Sequence, residues 1–118
     1  MVIAQNGHWN TCVSRLYYAC FYAVTALLNQ RGLSARHHSG VRSLFNREVV
    51  RPHQVSTSLA DLYNDLFEHR READYVEYVR YSATLTEPWI NQTRQFLEVM
   101  RRLIETDRAH ASEDTDTP

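Results

Sequence analysis

Apolar side chains recur every three to four residues along most of the chain, which is the spacing of an α-helix. The first such segment runs from about His8 to Gln30, and Gly32 is expected to end it in the left-handed conformation. Its apolar positions form two adjacent stripes: Trp9, Val13, Leu16, Cys20, Ala23 and Leu27, and beside them Tyr17, Phe21, Val24 and Leu28. One neighbouring layer cannot cover such a helix. We therefore predict that it is the central helix of a bundle or is partly buried against a second protomer.

Three further segments show the same spacing. The second helix is predicted over residues 34–50, with Ser34 as its N-cap. The third is predicted to open after Arg51-Pro52, because proline suits the first turn of a helix, and the fourth to open at Thr86-Glu87-Pro88. Aromatic and β-branched residues alternate over 75–81, and we interpret this stretch as an irregular connection because a single strand would have no partner.

Composition supports one helical domain. The chain has 118 residues with only 3 Gly and 3 Pro, too few glycines for the tight turns of a sandwich or barrel. Acidic and small polar residues dominate from Thr106 onward, which is typical of disorder. The fold class predicted is all-α: a compact four-helix up-and-down bundle. Residues 1–105 form the single domain, and residues 106–118 form a disordered acidic tail.

The cysteines and the hydropathy indicate a cytoplasmic protein. Cys12 and Cys20 would lie about 12 Å apart on one helix, beyond the ~7 Å between Cα atoms that a disulfide tolerates. We interpret both as free core residues of a protein in a reducing cytoplasm. No uninterrupted apolar run reaches the ~18–20 residues that span a bilayer, so no membrane association is expected.

The first half of the chain is basic, although the net charge is only -1. Residues 1–60 contain six arginines and a single acidic residue, Glu48, which is compatible with an anionic ligand. Arginines interleaved with tyrosines can stack on nucleic-acid bases, although buried tyrosines are more often structural. Candidate substrate-binding residues are Arg15, Tyr18, Arg36 and His37.

The histidines do not have metal-ligand spacing. His37 and His38 are adjacent and would point about 100° apart on a helix, so no metal site is predicted. Arg31 with these histidines could instead serve RNA cleavage, because a histidine can remove the ribose 2′-hydroxyl proton and a guanidinium can stabilise the phosphate. Arg70 and Asp74 lie four residues apart, which predicts a structural polar pair on one helical face.

Four short motifs follow one another along the chain: Ser14-Arg-Leu-Tyr-Tyr-Ala-Cys-Phe21, Ala26-Leu-Leu28 with Gly32, His38-Ser-Gly-Val41 with Phe45, and Arg70-x-x-Ala73-Asp-Tyr75. This ordered set resembles the HEPN domain, in its compact prokaryotic branch. The resemblance covers roughly residues 7–105. It implies a bundle of four to five helices, a homodimer and no cofactor. It also implies a partner, a minimal nucleotidyltransferase that acts as antitoxin.

The resemblance also implies an activity. Many HEPN proteins are metal-independent ribonuclease toxins that use an arginine, four to six intervening residues and a histidine. Arg31 and His38, separated by six residues, match that motif and are the predicted catalytic residues. Gly32 directly after Arg31 favours an alternative, a non-enzymatic nucleotide- or RNA-binding partner subunit. A second alternative is a purely structural helical dimer. For the dimer itself, Tyr18, Phe21 and Tyr22 are the expected contacts.

Overall fold

The computed structural model describes the backbone of residues 2–75 and 82–116 and the side chains of residues 9–70 and 82–111. Its described residues form four α-helices, which confirms the all-α prediction. They are α1 (Val2–Gln30), α2 (His38–Phe45), α3 (Thr57–Tyr75) and α4 (Ala83–Asp116), and α2 continues into a π-helical turn over Asn46–Val50. The connection predicted at 75–81 falls, after Tyr75, outside the described residues.

The helix α1 is the central helix, as its two apolar stripes predict. Six of its side chains are buried in the core: Val13, Tyr17, Cys20, Val24, Leu27 and Leu28. The rings of Tyr17, Tyr63 and Phe96 stack in a row that joins α1 to α3 and α4, with centroids 6.1 and 5.8 Å apart. Such ring pairs add to the free energy gained by burying apolar area. Cys12 and Cys20 are both free thiols.

The segment Trp9–Gln30 of α1 is long and apolar enough to cross a membrane by length and composition. About 33% of its most apolar window is buried inside the bundle. Val13, Val24 and Leu27 are among the core residues of this segment.

The helix α1 ends as predicted. Gly32 has φ of +79°, the left-handed conformation that glycine adopts without steric cost. The Leu33 amide donates to the Leu28 carbonyl at 2.8 Å, and the Gly32 amide donates to the Asn29 carbonyl at 3.0 Å. These two bonds are the Schellman arrangement, which satisfies the last carbonyls of the helix.

All four predicted helix starts are wrong. The first helix begins at Val2, not at about His8. The second helix begins at His38, not Ser34, because residues 33–37 leave the helical conformation after the Gly32 turn. The third begins at Thr57, where Ser56 Oγ accepts the Leu59 amide at 3.3 Å. The fourth begins at Ala83, because Ser82 Oγ accepts the Leu85 amide at 3.2 Å. In the last two cases a serine caps the helix and decides where it begins, in place of a proline.

The helix α4 continues past the domain boundary predicted at residue 105 and ends at Asp116, so the described residues 106–116 of the predicted tail are helical. The boundary itself stays a prediction. Two long-range contacts hold the second half of α4 against the end of α1. Arg31 Nε donates to Asp107 Oδ2 at 2.6 Å, and Gln30 Nε2 donates to the Ile104 carbonyl at 3.0 Å.

Candidate functional site

Three helices each contribute one polar side chain to a single cluster. His38 is the first residue of α2, Tyr17 lies on the buried face of α1, and Arg70 lies in the second half of α3. The Tyr17 hydroxyl lies 3.0 Å from His38 Nδ1, and Arg70 Nη2 lies 3.5 Å from the same nitrogen. We refer to His38, Arg70 and Tyr17, with the neighbouring Tyr18 and Phe21, as the His38 cluster.

Aromatic rings fix the orientation of the imidazole. The His38 ring stacks on Phe21 with centroids 4.2 Å apart and an interplanar angle of 22°. Tyr18 meets it edge-on at 5.9 Å. The guanidinium carbon of Arg70 lies 5.1 Å from the Tyr17 ring centroid and 5.8 Å from that of Tyr18, where a cation is attracted to the ring. The imidazole and the guanidinium therefore share one aromatic support.

The contacts of His38 determine its protonation. Arginine can only donate hydrogen bonds, so the contact with Arg70 favours the tautomer with a bare Nδ1 and a proton on Nε2. Burial, and next the positive charge of Arg70, lower the pKa of His38 below its ordinary value. Burial raises the pKa of Tyr17 to about 12, so this hydroxyl keeps its proton and can donate it to Nδ1. At neutral pH, His38 is thus an uncharged imidazole next to a permanent cation.

The structure does not bring Arg31 and His38 together. Arg31 follows the last residue of α1, ten residues beyond the Phe21 ring on which His38 stacks, and this corresponds to about 15 Å along a helix axis. Its guanidinium is instead paired with Asp107, at 2.6 Å from Nε and 3.4 Å from Nη2. Among the described side chains Arg31 therefore lies in a salt bridge at the end of α1, outside the His38 cluster, and its catalytic role stays a prediction.

Of the four predicted substrate-binding residues, one lies in the His38 cluster and three lie on exposed surface outside it. Tyr18 belongs to the His38 cluster. Arg36 and His37 are exposed in the segment that leads into α2, directly before His38. Arg15 is exposed on α1 and makes no hydrogen bond to His38 among the described side chains.

Arg70 is the site residue that sequence reasoning assigned to a different role. The predicted pair of Arg70 with Asp74 remains a prediction, because the Asp74 side chain lies outside the described residues. Spacing along the chain could not reveal the contact, since 32 residues separate Arg70 from His38. The sequence does carry one signal of this cluster: Tyr17, His38 and Arg70 each belong to one of the motifs that resemble the HEPN domain.

Metal ligands do not group together in the described part of the chain. Among those residues, no three His, Cys, Asp or Glu side chains lie close enough to hold an ion. The chemistry that the cluster offers is proton transfer at an imidazole and electrostatic stabilisation of an anion by a guanidinium.

Comparison with known proteins identifies the family. The family model described as HEPN domain matches residues 2–104. A protein named "UPF0332 protein" from Thermotoga maritima is 41% identical over 104 residues, which cover 88% of this chain and 79% of the relative. A protein of Methanocaldococcus jannaschii named "Putative toxin MJ0142" is 27% identical over 103 residues, which cover 79% of this chain and 68% of the relative. "Putative toxin MJ0605" of the same organism is 27% identical over 74 residues, 63% of this chain and 55% of the relative. The chain belongs to the HEPN domain family.

Proposed function

We propose that this HEPN protein is a toxin-type subunit that cleaves RNA without a metal ion, and that His38 and Arg70 carry the chemistry. The pairing of an uncharged His38 with the Arg70 guanidinium, 3.5 Å apart on one aromatic support, is the observation that carries the proposal. The toxin role is supported by the names of two relatives from Methanocaldococcus jannaschii. Arg70 replaces Arg31 as the predicted catalytic arginine.

The cleavage step uses the two nitrogens of His38. With its proton on Nδ1, from which it is donated to the Tyr17 oxygen, the imidazole has a bare Nε2 that accepts the proton of a ribose 2′-hydroxyl, and the 2′-oxygen then attacks the adjacent phosphorus. The bond from phosphorus to the 5′-oxygen breaks, and that oxygen takes a proton from Nε2 or from water. The products are a 2′,3′-cyclic phosphate and a 5′-hydroxyl. DNA is not a substrate, because it lacks the 2′-hydroxyl.

Arg70 stabilises the negative charge that develops on the phosphate. A guanidinium presents several donors in a plane and can contact two phosphate oxygens at once. An arriving phosphate draws the guanidinium from its 3.5 Å contact with His38, so that Nδ1 can carry the proton and donate it to the Tyr17 oxygen. The exposed Arg36 and His37 precede His38 and would contact neighbouring phosphates of the RNA.

The partner and the assembly belong to the same proposal. A minimal nucleotidyltransferase would act as antitoxin to this subunit in the cytoplasm. A homodimer would place two His38 clusters on one particle. A protein that binds RNA at the cluster but does not cleave it would be the binding subunit of such a pair.

The test is cleavage of end-labelled RNA in the presence of a chelator. His38→Ala is expected to lower the rate by about 100-fold or more, the lower range of the contribution from general acid–base catalysis. The control is His110→Ala, which removes an exposed histidine of α4 outside the His38 cluster and is expected to retain the rate. Equal rates for the wild type and both variants would contradict the proposal, and so would the absence of cleavage by the folded wild type.

A further inference from the structure

A cavity of about 240 Å³ lies between the second half of α1 and the segment that leads into α2. The α1 side chains Thr25 and Asn29 line one wall, and Leu33, Ser34 and Ala35 line the opposite one. Val41 of α2 contributes a further apolar contact. The proposed chemistry of the His38 cluster does not use this cavity.

The cavity begins one helical turn from the His38 cluster. Thr25 follows Phe21 by four residues on α1, which places the two side chains on one face and about 6 Å apart along the axis. The Phe21 ring stacks on His38 at 4.2 Å. Ala35, on the other wall, precedes His38 by only three residues. A ligand with its phosphate at Arg70 and His38 could therefore extend into the cavity.

The walls of the cavity combine apolar surface with polar groups. Leu28, Leu33 and Val41 provide apolar contacts. The Asn29 amide and the Ser34 hydroxyl belong to exposed residues of the lining, and each can both donate and accept a hydrogen bond. A flat heteroaromatic ring with donors and acceptors on its edge satisfies both kinds of surface.

The size of the cavity agrees with a single ring system. Sites for drug-sized ligands typically have volumes of about 300–1,000 Å³, so this cavity suits a smaller group. Polar groups in an otherwise apolar wall favour a ring whose edge forms hydrogen bonds with them, because a polar group that a ligand buries without a partner costs binding free energy.

We propose that this cavity is a nucleobase subsite, which holds the base next to the phosphate bound by Arg70 and His38. The inference rests on the proposed function, since the phosphate site is the one assigned there. The proposal adds a substrate class and a specificity determinant: the enzyme selects the base beside the bond it cleaves, and the Ser34 hydroxyl and the Asn29 amide form hydrogen bonds with the edge of that base.

The test measures binding rather than cleavage, so that it can be separated from the proposed function. Full-length wild-type protein is titrated with the four nucleoside monophosphates and with ribose 5-phosphate, none of which contains a bond that the proposed reaction cleaves, and binding is followed by NMR. At least one nucleotide is expected to bind about tenfold more tightly than ribose 5-phosphate. Asn29→Ala and Ser34→Ala should each remove much of that preference, by up to about tenfold for a lost hydrogen bond. Asn91→Ala, a matched change at an exposed residue of α4, should not.

The outcomes are distinguishable. Equal binding of all nucleotides and ribose 5-phosphate would overturn the subsite, even if the wild type cleaves RNA. A preference that survives in the folded Asn29→Ala and Ser34→Ala proteins would overturn it as well. A preference that both variants lose would support the subsite, and it would do so even if the wild type fails to cleave RNA and the proposed function is wrong.

Discussion

The packing around His38 sets the protonation state of its imidazole. Its ring lies against Phe21 and Tyr18, and its Nδ1 faces Tyr17 and Arg70. A charged imidazole would lose hydration in this setting and would repel the guanidinium, so the protein holds the neutral form. The same two causes that lower the pKa keep the proton acceptor available at neutral pH. Local packing and the proposed chemistry therefore depend on the same contacts.

The lowered pKa of His38 predicts a pH dependence of stability. In the unfolded chain the histidine titrates near its ordinary value of about 6.5, whereas the folded protein takes up this proton only at lower pH. Below about pH 6.5 the unfolded state therefore binds more protons, and acidification lowers the free energy of unfolding. Urea unfolding at pH 7 and pH 5 should show a larger loss for the wild type than for His38→Gln. His37→Gln, the control, should behave as the wild type; an identical loss in His38→Gln would contradict the prediction.

At the scale of the elements, hydrophobic periodicity was sufficient to predict four helices but not their ends. Gly32 was identifiable as a helix stop because a positive φ favours glycine. The caps at Ser56 and Ser82 were not recognised, because many serines occur near helix starts and only the folded backbone shows which hydroxyl meets an amide. The extension of α4 was missed because the residue that pairs with Asp107 lies 76 positions away.

The candidate site was predictable only in part, for the same reason. His38 and Tyr18 were identified from the sequence, and both belong to the cluster. Arg31 was chosen as the partner of His38 because it is near in the chain, whereas the partner in space comes from another helix. Nearness in sequence is a poor guide where a turn such as that at Gly32 redirects the backbone.

The salt bridge between Arg31 and Asp107 predicts that the end of α4 stabilises the bundle. Both side chains are mostly shielded from water, with 19% and 25% of their surfaces exposed. Asp107→Ala should lower the free energy of unfolding by about 1 kcal/mol, the upper range for a surface pair. Arg108→Ala, at an exposed neighbour on the same helix, should have little effect. Chemical denaturation measures both variants, and an unchanged stability for Asp107→Ala would mean that the pair contributes nothing.

At the scale of the whole molecule, one face of α1 remains uncovered. Tyr22 is 65% exposed and packs against Phe21 and Tyr18, with ring centroids 5.6 and 6.1 Å apart. Exposed aromatic residues next to apolar ones are typical of protein interfaces. The symmetric dimer predicted from the sequence uses this face, with Tyr18, Phe21 and Tyr22 as contacts. Tyr18 and Phe21 also belong to the His38 cluster, so the face adjoins the cluster.

The dimer prediction is tested by sedimentation at micromolar concentration. The wild type should sediment as a dimer, and Tyr22→Arg should shift it to the monomer, because two guanidinium groups would face each other across the symmetry axis. Leu85→Arg, at the exposed apolar residue near the start of α4, is the control and should leave the dimer intact. A monomeric wild type would exclude this assembly.

The most direct measurement compares two arginines in one RNA cleavage assay with chelator. Arg70→Lys and Arg31→Lys both retain the positive charge and remove the planar fork of donors. Arg70→Lys is expected to lower the cleavage rate by about tenfold or more, because a donor set that stabilises the transition state is lost. Arg31→Lys is expected to leave the rate unchanged, because its guanidinium is bound to Asp107. A large loss in Arg31→Lys together with an unchanged rate in Arg70→Lys would contradict the assignment of the site to His38 and Arg70.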